Sequence, residues 1–171
     1  MTAKVLVTYA THTGSTAGVA EKVAETLRQE GAEAEVMPTK SVKDLSPYDA
    51  VIVGTAIRAG RPHGRVATFL KKNSTALAEL PVAYFCVCLT MIEDSEQHRS
   101  EASAYLDPLA ELVEPVDRGL FGGIYAPDKL SAPVRLIMKK IAEKGGLAPG
   151  DFRDLDAVET WAKDVLPKLT R

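Results

Sequence analysis

Residues 4–16 read KVLVTYATHTGST, a short valine-rich run followed by a polar turn around a single glycine. An apolar run of this length, bounded by turn residues, is typical of a buried strand. Beyond the turn, Ala20, Val23, Ala24 and Leu27 recur at helical spacing, and Gly31 marks a helix end. The stretch therefore predicts a strand, a loop and a helix in immediate succession.

The same alternation continues along the chain. Residues 32–37 alternate glutamates with small or apolar residues, which predicts an edge strand, whereas the apolar runs at 50–53 and 82–89 predict buried strands. Residues 120–125 predict a short fifth strand broken by Gly122 and Gly123. Helices are predicted at 66–72, 96–112 and 158–166, the last one capped by Asp156. We therefore expect a three-layer α/β fold, with a doubly wound, five-stranded parallel sheet between two layers of helices.

Composition limits the classes of protein to which the chain can belong. Its 171 residues, 46% of them hydrophobic, are expected to form one domain over residues 1–171, with an insertion at 121–152. A formal charge of −2 predicts that nucleic acid is not a partner. Cys86 and Cys88 are predicted to be buried and reduced, and no metal site is predicted. We find no apolar stretch of about 18–20 residues and no signal peptide, so we expect a cytoplasmic protein.

The turn at residues 11–16 carries hydroxyl groups and no carboxylate. Free N–H groups and hydroxyls at a helix N-terminus favour a phosphate dianion, and Gly14 lets the backbone curl around it. An ordinary hydroxyl-capped helix start explains the same residues equally well when the turn is considered alone. The position after the first strand of a doubly wound sheet favours the phosphate. Because a Walker A lysine and the three-glycine dinucleotide fingerprint are absent, a monophosphate cofactor fits better.

Several segments carry a family resemblance. The Thr-x-Thr-Gly-x-Thr turn resembles the flavodoxin phosphate loop, and LSPYDAVIVGT at residues 45–55 resembles the flavodoxin third strand and the loop beside the flavin. Three further segments are similar to the menaquinone-dependent protoporphyrinogen oxidase family: IRAGRPH at 57–63, FLKK at 69–72 and LIMK at 136–139. The resemblance implies FMN as the cofactor and a flavodoxin-like sheet in the order 2-1-3-4-5, with the insertion around its fifth strand.

The resemblance also implies where the cofactor is held, because such sheets bind ligands at the loops that follow their strands. The predicted FMN-binding residues are Thr11, His12, Thr13, Gly14, Ser15, Thr16, Ala56, Ile57, Arg58, Ala59, Gly60, Cys88, Leu89, Thr90, Gly122 and Gly123. No catalytic residue is assigned, and the candidates are Arg58, Arg61 and His63. Either arginine would suit substrate propionates, but neither would act as a base. His12, His63 and His98 are expected at the same end of the sheet.

Residues 56–64 contain no aromatic and no acidic side chain, unlike the corresponding loop of conventional flavodoxins. A cation near the flavin favours its reduced anion and hence two-electron chemistry. We therefore predict an FMN-binding oxidoreductase that resembles protoporphyrinogen IX dehydrogenase and passes reducing equivalents from a porphyrinogen to a quinone. Two alternatives stay open: a flavodoxin electron carrier that serves a redox protein partner, and a phosphate-binding signalling domain without flavin.

The insertion has an amphipathic pattern. Five apolar residues recur there at helical spacing among basic residues: Leu130, Val134, Ile137, Met138 and Ile141. A basic amphipathic helix over residues 130–144 would suit peripheral contact with the inner face of an anionic membrane, where a quinone is met. The alternative is that the same apolar stripe packs onto the domain, as in an ordinary surface helix.

Overall fold

The computed structural model describes residues 2–170, so the predicted domain, residues 1–171, extends one residue beyond the described chain at either end. Its strands are β1 (Lys4–Ala10), β2 (Glu33–Pro38), β3 (Ala50–Arg58), β4 (Arg61–Pro62), β5 (Val82–Cys88), β6 (Arg118–Gly122), β7 (Ile124–Tyr125) and β8 (Gly150–Asp151). Its helices are α1 (Ser15–Gln29), α2 (Gly64–Lys72), α3 (Ser74–Ala78), α4 (Glu96–Ala104), α5 (Asp107–Ala110), α6 (Ala132–Gly145) and α7 (Leu155–Leu169).

The five long strands form a parallel sheet in the order β2-β1-β3-β5-β6, which confirms the predicted order 2-1-3-4-5. The glutamate-bearing strand β2 lies at the edge, as predicted. The two-residue strand β4 folds back antiparallel onto Ile57 and Arg58 at the end of β3. The short strands β7 and β8 pair with each other in a separate antiparallel ribbon. All five long strands therefore end at the same edge of the sheet.

Alternate residues of the buried strands supply two hydrophobic layers. Val5 and Val7 of β1 pack with α1 and α7 on one face, whereas Leu6 packs with α2, α4 and α5 on the other. The strand pleat sends successive side chains to opposite faces, so a continuous apolar run needs cover on both sides. The same pleat places Cys86 and Cys88 in one layer, where both are buried and unbridged, as predicted.

Three of the predicted boundaries differ from the structure for local reasons that single residues explain. The predicted helix 96–112 is two helices, α4 and α5, because Pro108 lacks an N–H and its ring would clash with the carbonyl of Ala104, where α4 ends. The cap of α7 is Asp154 instead of Asp156, since the Asp154 carboxylate accepts a hydrogen bond of 3.0 Å from the Ala157 N–H.

The third boundary concerns the predicted fifth strand at 120–125. Strand β6 starts earlier, at Arg118, and stops at Gly122. The carbonyl of Gly123 accepts a hydrogen bond from the Phe152 N–H, 3.0 Å away, and Ile124 then pairs with Asp151 instead of continuing the sheet. The insertion is therefore anchored at both ends by the β7–β8 ribbon, with α6 between them. Among residues 2–170, no helix has both the length and the apolar run that spanning a membrane requires.

Candidate functional site

The turn between β1 and α1 leaves the helix N-terminus open. Gly14 precedes the helix with φ 96°, a left-handed conformation that costs glycine little. The N–H of Gly14 donates to the Thr11 hydroxyl at 2.9 Å, and this hydrogen bond fixes the shape of the turn. No side chain caps α1 and no acidic residue lies in its first turn. The first N–H groups of the helix are therefore available to an anion.

Thr16 gives a second, independent sign of a missing ligand. Its side chain is fully buried, and its hydroxyl has no hydrogen-bond partner among the described residues. Burying a hydroxyl without a partner costs roughly 1–3 kcal/mol, so most such groups are satisfied in native proteins. The hydroxyl lies in the first turn of the helix, next to the open N–H groups. An oxyanion bound at this turn would satisfy both.

The second loop of the site is a tight hairpin between β3 and β4. Ala59 and Gly60 both have positive φ, 52° and 72°, which is the backbone of a two-residue hairpin turn. The hairpin is held at its base, where the Thr55 hydroxyl accepts from the His63 N–H at 2.9 Å. Positive φ is strained for alanine, so the surrounding contacts must impose this conformation.

Tyr105 joins the hairpin to the loop after β5. Its ring packs against Gly60, where a Cβ atom would lie 3.5 Å from the ring. Its hydroxyl donates to the Glu101 carboxylate at 2.8 Å and lies 3.1 Å from the Thr90 hydroxyl. Burial raises the pKa of Tyr105, so the phenol stays protonated and the contacts persist.

His12 and His63 stack, with ring centroids 4.3 Å apart and an interplanar angle of 26°. Burial, followed by the Arg58 and His63 charges, lowers the pKa of His12 to about 4. Burial and the neighbouring Arg65 and Arg58 also lower the pKa of His63, whose Nδ1 accepts from the Arg65 N–H at 3.1 Å. Both imidazoles are therefore neutral at pH 7. His98, expected at the same end of the sheet, lies in the first turn of α4, where its ring contacts the Glu93 carbonyl at 2.8 Å, and it does not line the cleft described next.

These loops surround a cleft at the carboxyl edge of the sheet. Its empty volume is about 870 Å³, which includes the solvent-filled entrance. The predicted residues that line it are His12, Thr13, Ser15, Ala56, Ile57, Arg58, Ala59, Gly60, Cys88, Leu89, Thr90 and Gly123. The four predicted loops thus converge on one cleft. Among residues 2–170, the single charged side chain that lines it is that of Arg58.

Some predicted residues lie outside the cleft lining. Thr11 and Gly14 shape the turn at residues 11–16, which is named the phosphate turn below because phosphate binding is predicted there, and Thr16 lies buried behind it. Gly122 packs against backbone, since a Cβ there would lie 2.6 Å from the Phe152 carbonyl oxygen. Arg61 and His63, two of the three catalytic candidates, are also absent from the lining.

Sequence reasoning missed one wall of the cleft. Leu130, Val134 and Met138 come from the insertion and α6, and Tyr125 comes from β7. The remaining unpredicted lining residues are Val87, Tyr105, Ile124 and Ala126. The helical spacing of Leu130, Val134 and Met138 was visible in the sequence and identified one face. What that face covers depends on how the insertion folds back.

The cleft fits FMN. The open helix N-terminus and the unpartnered Thr16 hydroxyl suit a phosphate group, and the apolar side chains of the insertion wall suit a flat ring system. Arg58 provides positive charge with no lining carboxylate to cancel it. The buried Cys88 borders the same space; the adjacent Cys86 thiol, then backbone N–H groups of Met91 and Thr90, lower its pKa.

Comparison with known proteins agrees with this fit. A family model described as a flavodoxin domain matches residues 6–148. Protoporphyrinogen IX dehydrogenase (quinone) from Escherichia coli strain K12 is 29% identical over 104 residues, which are 60% of this chain and 57% of that protein. The matched part of this chain thus spans less than two thirds of that curated relative.

Solved structures give the same fold. The oxidised flavodoxin 1 of Bacillus cereus superposes with a TM-score of 0.62 at 16% identity, covering 98% of this chain and 99% of that one. A flavodoxin mutant from Fusobacterium nucleatum, solved with flavin mononucleotide bound, gives a TM-score of 0.52 at 17% identity over 71% of this chain and 70% of that one.

Proposed function

This chain belongs to the flavodoxin domain family, its cofactor is FMN, and we propose that it oxidises a porphyrinogen and passes the reducing equivalents to a quinone, as a protoporphyrinogen IX dehydrogenase does. The observation that carries the proposal is the charge of the cleft. In the part of the chain that the structure describes, Arg58 is the one charged side chain that lines it, and no carboxylate is among the lining residues. Fixed positive charge stabilises a reduced flavin that carries negative charge, which favours two-electron over one-electron transfer.

The chain's own residues divide the work of the site. FMN, when bound, supplies the redox chemistry. Thr13, Ser15 and Thr16, with the open N–H groups of α1, hold the phosphate, and the hairpin at Ala59 and Gly60 borders the ring. Arg58 also suits a substrate propionate, because a guanidinium binds carboxylates through charge-assisted hydrogen bonds. The stacked histidines are neutral and leave that positive charge uncompensated.

The test measures oxidation of protoporphyrinogen IX by flavin-loaded protein, with menadione as the acceptor. We expect turnover above that of free FMN, and a fall of about tenfold in Arg58→Met, the effect of one lost charge-assisted contact. Arg99→Met is the matched control, since Arg99 pairs with Asp94 outside the cleft. Turnover no faster than free FMN would rule out the enzyme.

An electron carrier is the second candidate, because the family and the fold are shared with flavodoxins. Reductive titration separates the two. A carrier accumulates the one-electron-reduced flavin, whereas the proposed enzyme passes directly to the two-electron-reduced state. Accumulation of the one-electron form, without quinone turnover, would favour the carrier.

We also propose that the outer face of α6 contacts an anionic membrane on the cytoplasmic side. Leu136, Ile137 and Ile141 are about 60% exposed there, beside the exposed Lys140 and Lys144. An apolar face beside lysines is the pattern of helices that lie in a bilayer interface.

Co-sedimentation with vesicles that contain phosphatidylglycerol tests the membrane contact. We expect binding that weakens with salt and is lost in Ile137→Glu with Ile141→Glu. Val116→Glu is the control, because Val116 is also an exposed apolar residue but lies between α5 and β6. No binding by the unsubstituted protein, or equal loss in the control, would contradict the proposal.

A further inference from the structure

A second cleft lies beside the first at the same edge of the sheet. It is lined by Tyr9, Ala10, Thr11, Pro38, Thr39, Lys40, His63 and Arg65, and its empty volume is about 760 Å³. Its lining comes from the ends of β1 and β2 and from the start of α2. His12 lines the first cleft and His63 lines the second, so the stacked pair is a wall common to both.

The second cleft is positively charged. Lys40 and Arg65 line it together with His63, and no carboxylate is among its lining residues. Within the described chain, neither Lys40 nor Arg65 has a carboxylate oxygen within 4.0 Å, and the same holds for Arg58 and Arg61. By contrast, three arginines elsewhere pair with carboxylates: Arg99 with Asp94, Arg118 with Asp107 and Arg153 with Asp151.

Unpaired cations around a concave surface attract an anion, because their fields add and no internal counter-charge opposes them. The Thr11 and Thr39 hydroxyls beside them supply neutral donors in the same space. Such a group of donors suits the oxygens of a carboxylate or a phosphate, but it offers little to an uncharged quinone ring.

We propose that this second cleft, at Lys40, His63 and Arg65, is the binding site for an oxyanion substituent of the electron donor. The proposal rests on the proposed function only in assuming that a small molecule donates electrons to the flavin. The shared wall of His12 and His63 places the anion next to the cofactor turn, with Thr11 between the two. A donor held there by its charged end extends its reactive part toward the first cleft.

Two donors have this chemistry, and the experiment distinguishes them. Isothermal titration calorimetry measures the binding of two probes to FMN-loaded protein. Coproporphyrin III represents a tetrapyrrole with carboxylates, and 2′,5′-ADP represents the phosphate-bearing part of a dinucleotide. FMN already fills the phosphate turn, so a further bound anion reports on another site. Stronger binding of coproporphyrin III, weakened by substitution of Lys40 or Arg65, assigns the cleft to a porphyrinogen. Stronger binding of 2′,5′-ADP, weakened in the same way, assigns it to a pyridine dinucleotide.

Substitutions locate the binding. We expect Lys40→Gln and Arg65→Gln each to weaken probe binding about tenfold, as for the loss of one hydrogen bond to a charged group. Lys43→Gln removes the same charge from an exposed residue outside the cleft, and it should leave binding unchanged. In NMR spectra, ring-proton signals of His63 should shift on binding while those of His98 do not.

Failure of binding for both probes, or equal weakening in Lys43→Gln, would overturn the proposed cleft. Retention of FMN absorbance in each variant shows that the fold and cofactor site persist. Because the readout is binding instead of turnover, a protein that binds the probe but does not reduce quinone supports the cleft and contradicts only the proposed enzyme.

Discussion

The rings of His12 and His63 stack at 4.3 Å although 50 residues separate them in the chain. The contact joins the phosphate turn after β1 to the hairpin that follows β3. Arg58 lies near both rings and lowers the pKa of each. The phosphate turn and the arginine-bearing loop are therefore one electrostatic unit, and protonation of either imidazole would work against the positive charge already there.

This unit predicts acid sensitivity over a defined pH range. The pKa of His12 is about 4 in the folded protein and 6.5 when unperturbed. The unfolded state therefore binds more protons between these values, so the free energy of unfolding decreases as pH falls from 6.5 to about 4. The lowered pKa of His63 acts in the same direction.

Urea unfolding at several pH values checks this expectation in FMN-free protein. Between pH 6.5 and about 4, the free energy of unfolding should decrease less in His12→Gln than in the unsubstituted protein. In Arg58→Met, NMR titration should show the pKa of His12 closer to 6.5, because one of the charges that lower it is gone. An unchanged pH dependence in His12→Gln would contradict the prediction.

Thr16→Val should separate cofactor binding from stability. Removing the unpartnered hydroxyl relieves a buried polar group, which should raise the free energy of unfolding of FMN-free protein by ~1 kcal/mol. The same change should weaken FMN binding about tenfold if the hydroxyl holds the phosphate. Fluorescence titration of FMN measures the affinity.

Thr8→Val is the control for this substitution. Its hydroxyl is also buried without a partner, but Thr8 lies within β1 and not in the phosphate turn. We expect it to leave FMN affinity unchanged. Equal FMN affinity of the two variants would show that Thr16 does not hold the phosphate.

Gly122→Ala should destabilise the junction between the sheet and the insertion. A Cβ at this position would lie 2.6 Å from the Phe152 carbonyl oxygen and 3.2 Å from that of Met91. Because both neighbours are backbone atoms, we expect a loss of ~1–3 kcal/mol in the free energy of unfolding. Gly145→Ala, where nothing lies within 4 Å, should leave stability unchanged or slightly raised.

Ala59→Gly should stabilise the hairpin at the cleft. Ala59 has φ 52°, which glycine adopts without a side-chain penalty, so we expect a gain of ~0.5–1 kcal/mol in the free energy of unfolding. Ala67→Gly in α2 should instead lose ~1 kcal/mol, because glycine is unfavourable inside a helix. Thermal unfolding of both variants tests the contrast. A lower stability of Ala59→Gly as well as of Ala67→Gly would show that the backbone of Ala59 is not strained.

The sheet could be predicted because buried parallel strands and the phosphate turn each leave a local pattern. The runs that contain Ile52 and Phe85 are apolar without interruption, and such runs need two covering layers. The split of the predicted helix 96–112 was also readable, since Pro108 forbids a continuous helix. The cap of α7 could not be read from the sequence, because Asp154 and Asp156 are equally suited by residue type. Only the backbone geometry decides which of the two caps the helix.

The site was less predictable than the sheet. Residues 11–16 follow β1, and residues 56–60 are the end of β3 and the turn after it, so the topology alone brings them together. Tyr105, Val134 and Met138 reach the cleft through tertiary packing of a helix end and an insertion, for which a single sequence holds no distance information. The spacing of α6 identified an apolar face, and the structure divides its apolar residues between the cleft and the outside.

That division makes α6 a two-sided element. Val134 and Met138 line the cleft, while Ile137 and Ile141 are exposed on the outer side of the same helix. With the proposed membrane contact, one helix would carry both a wall of the cleft that a reactant enters and the face that meets the bilayer.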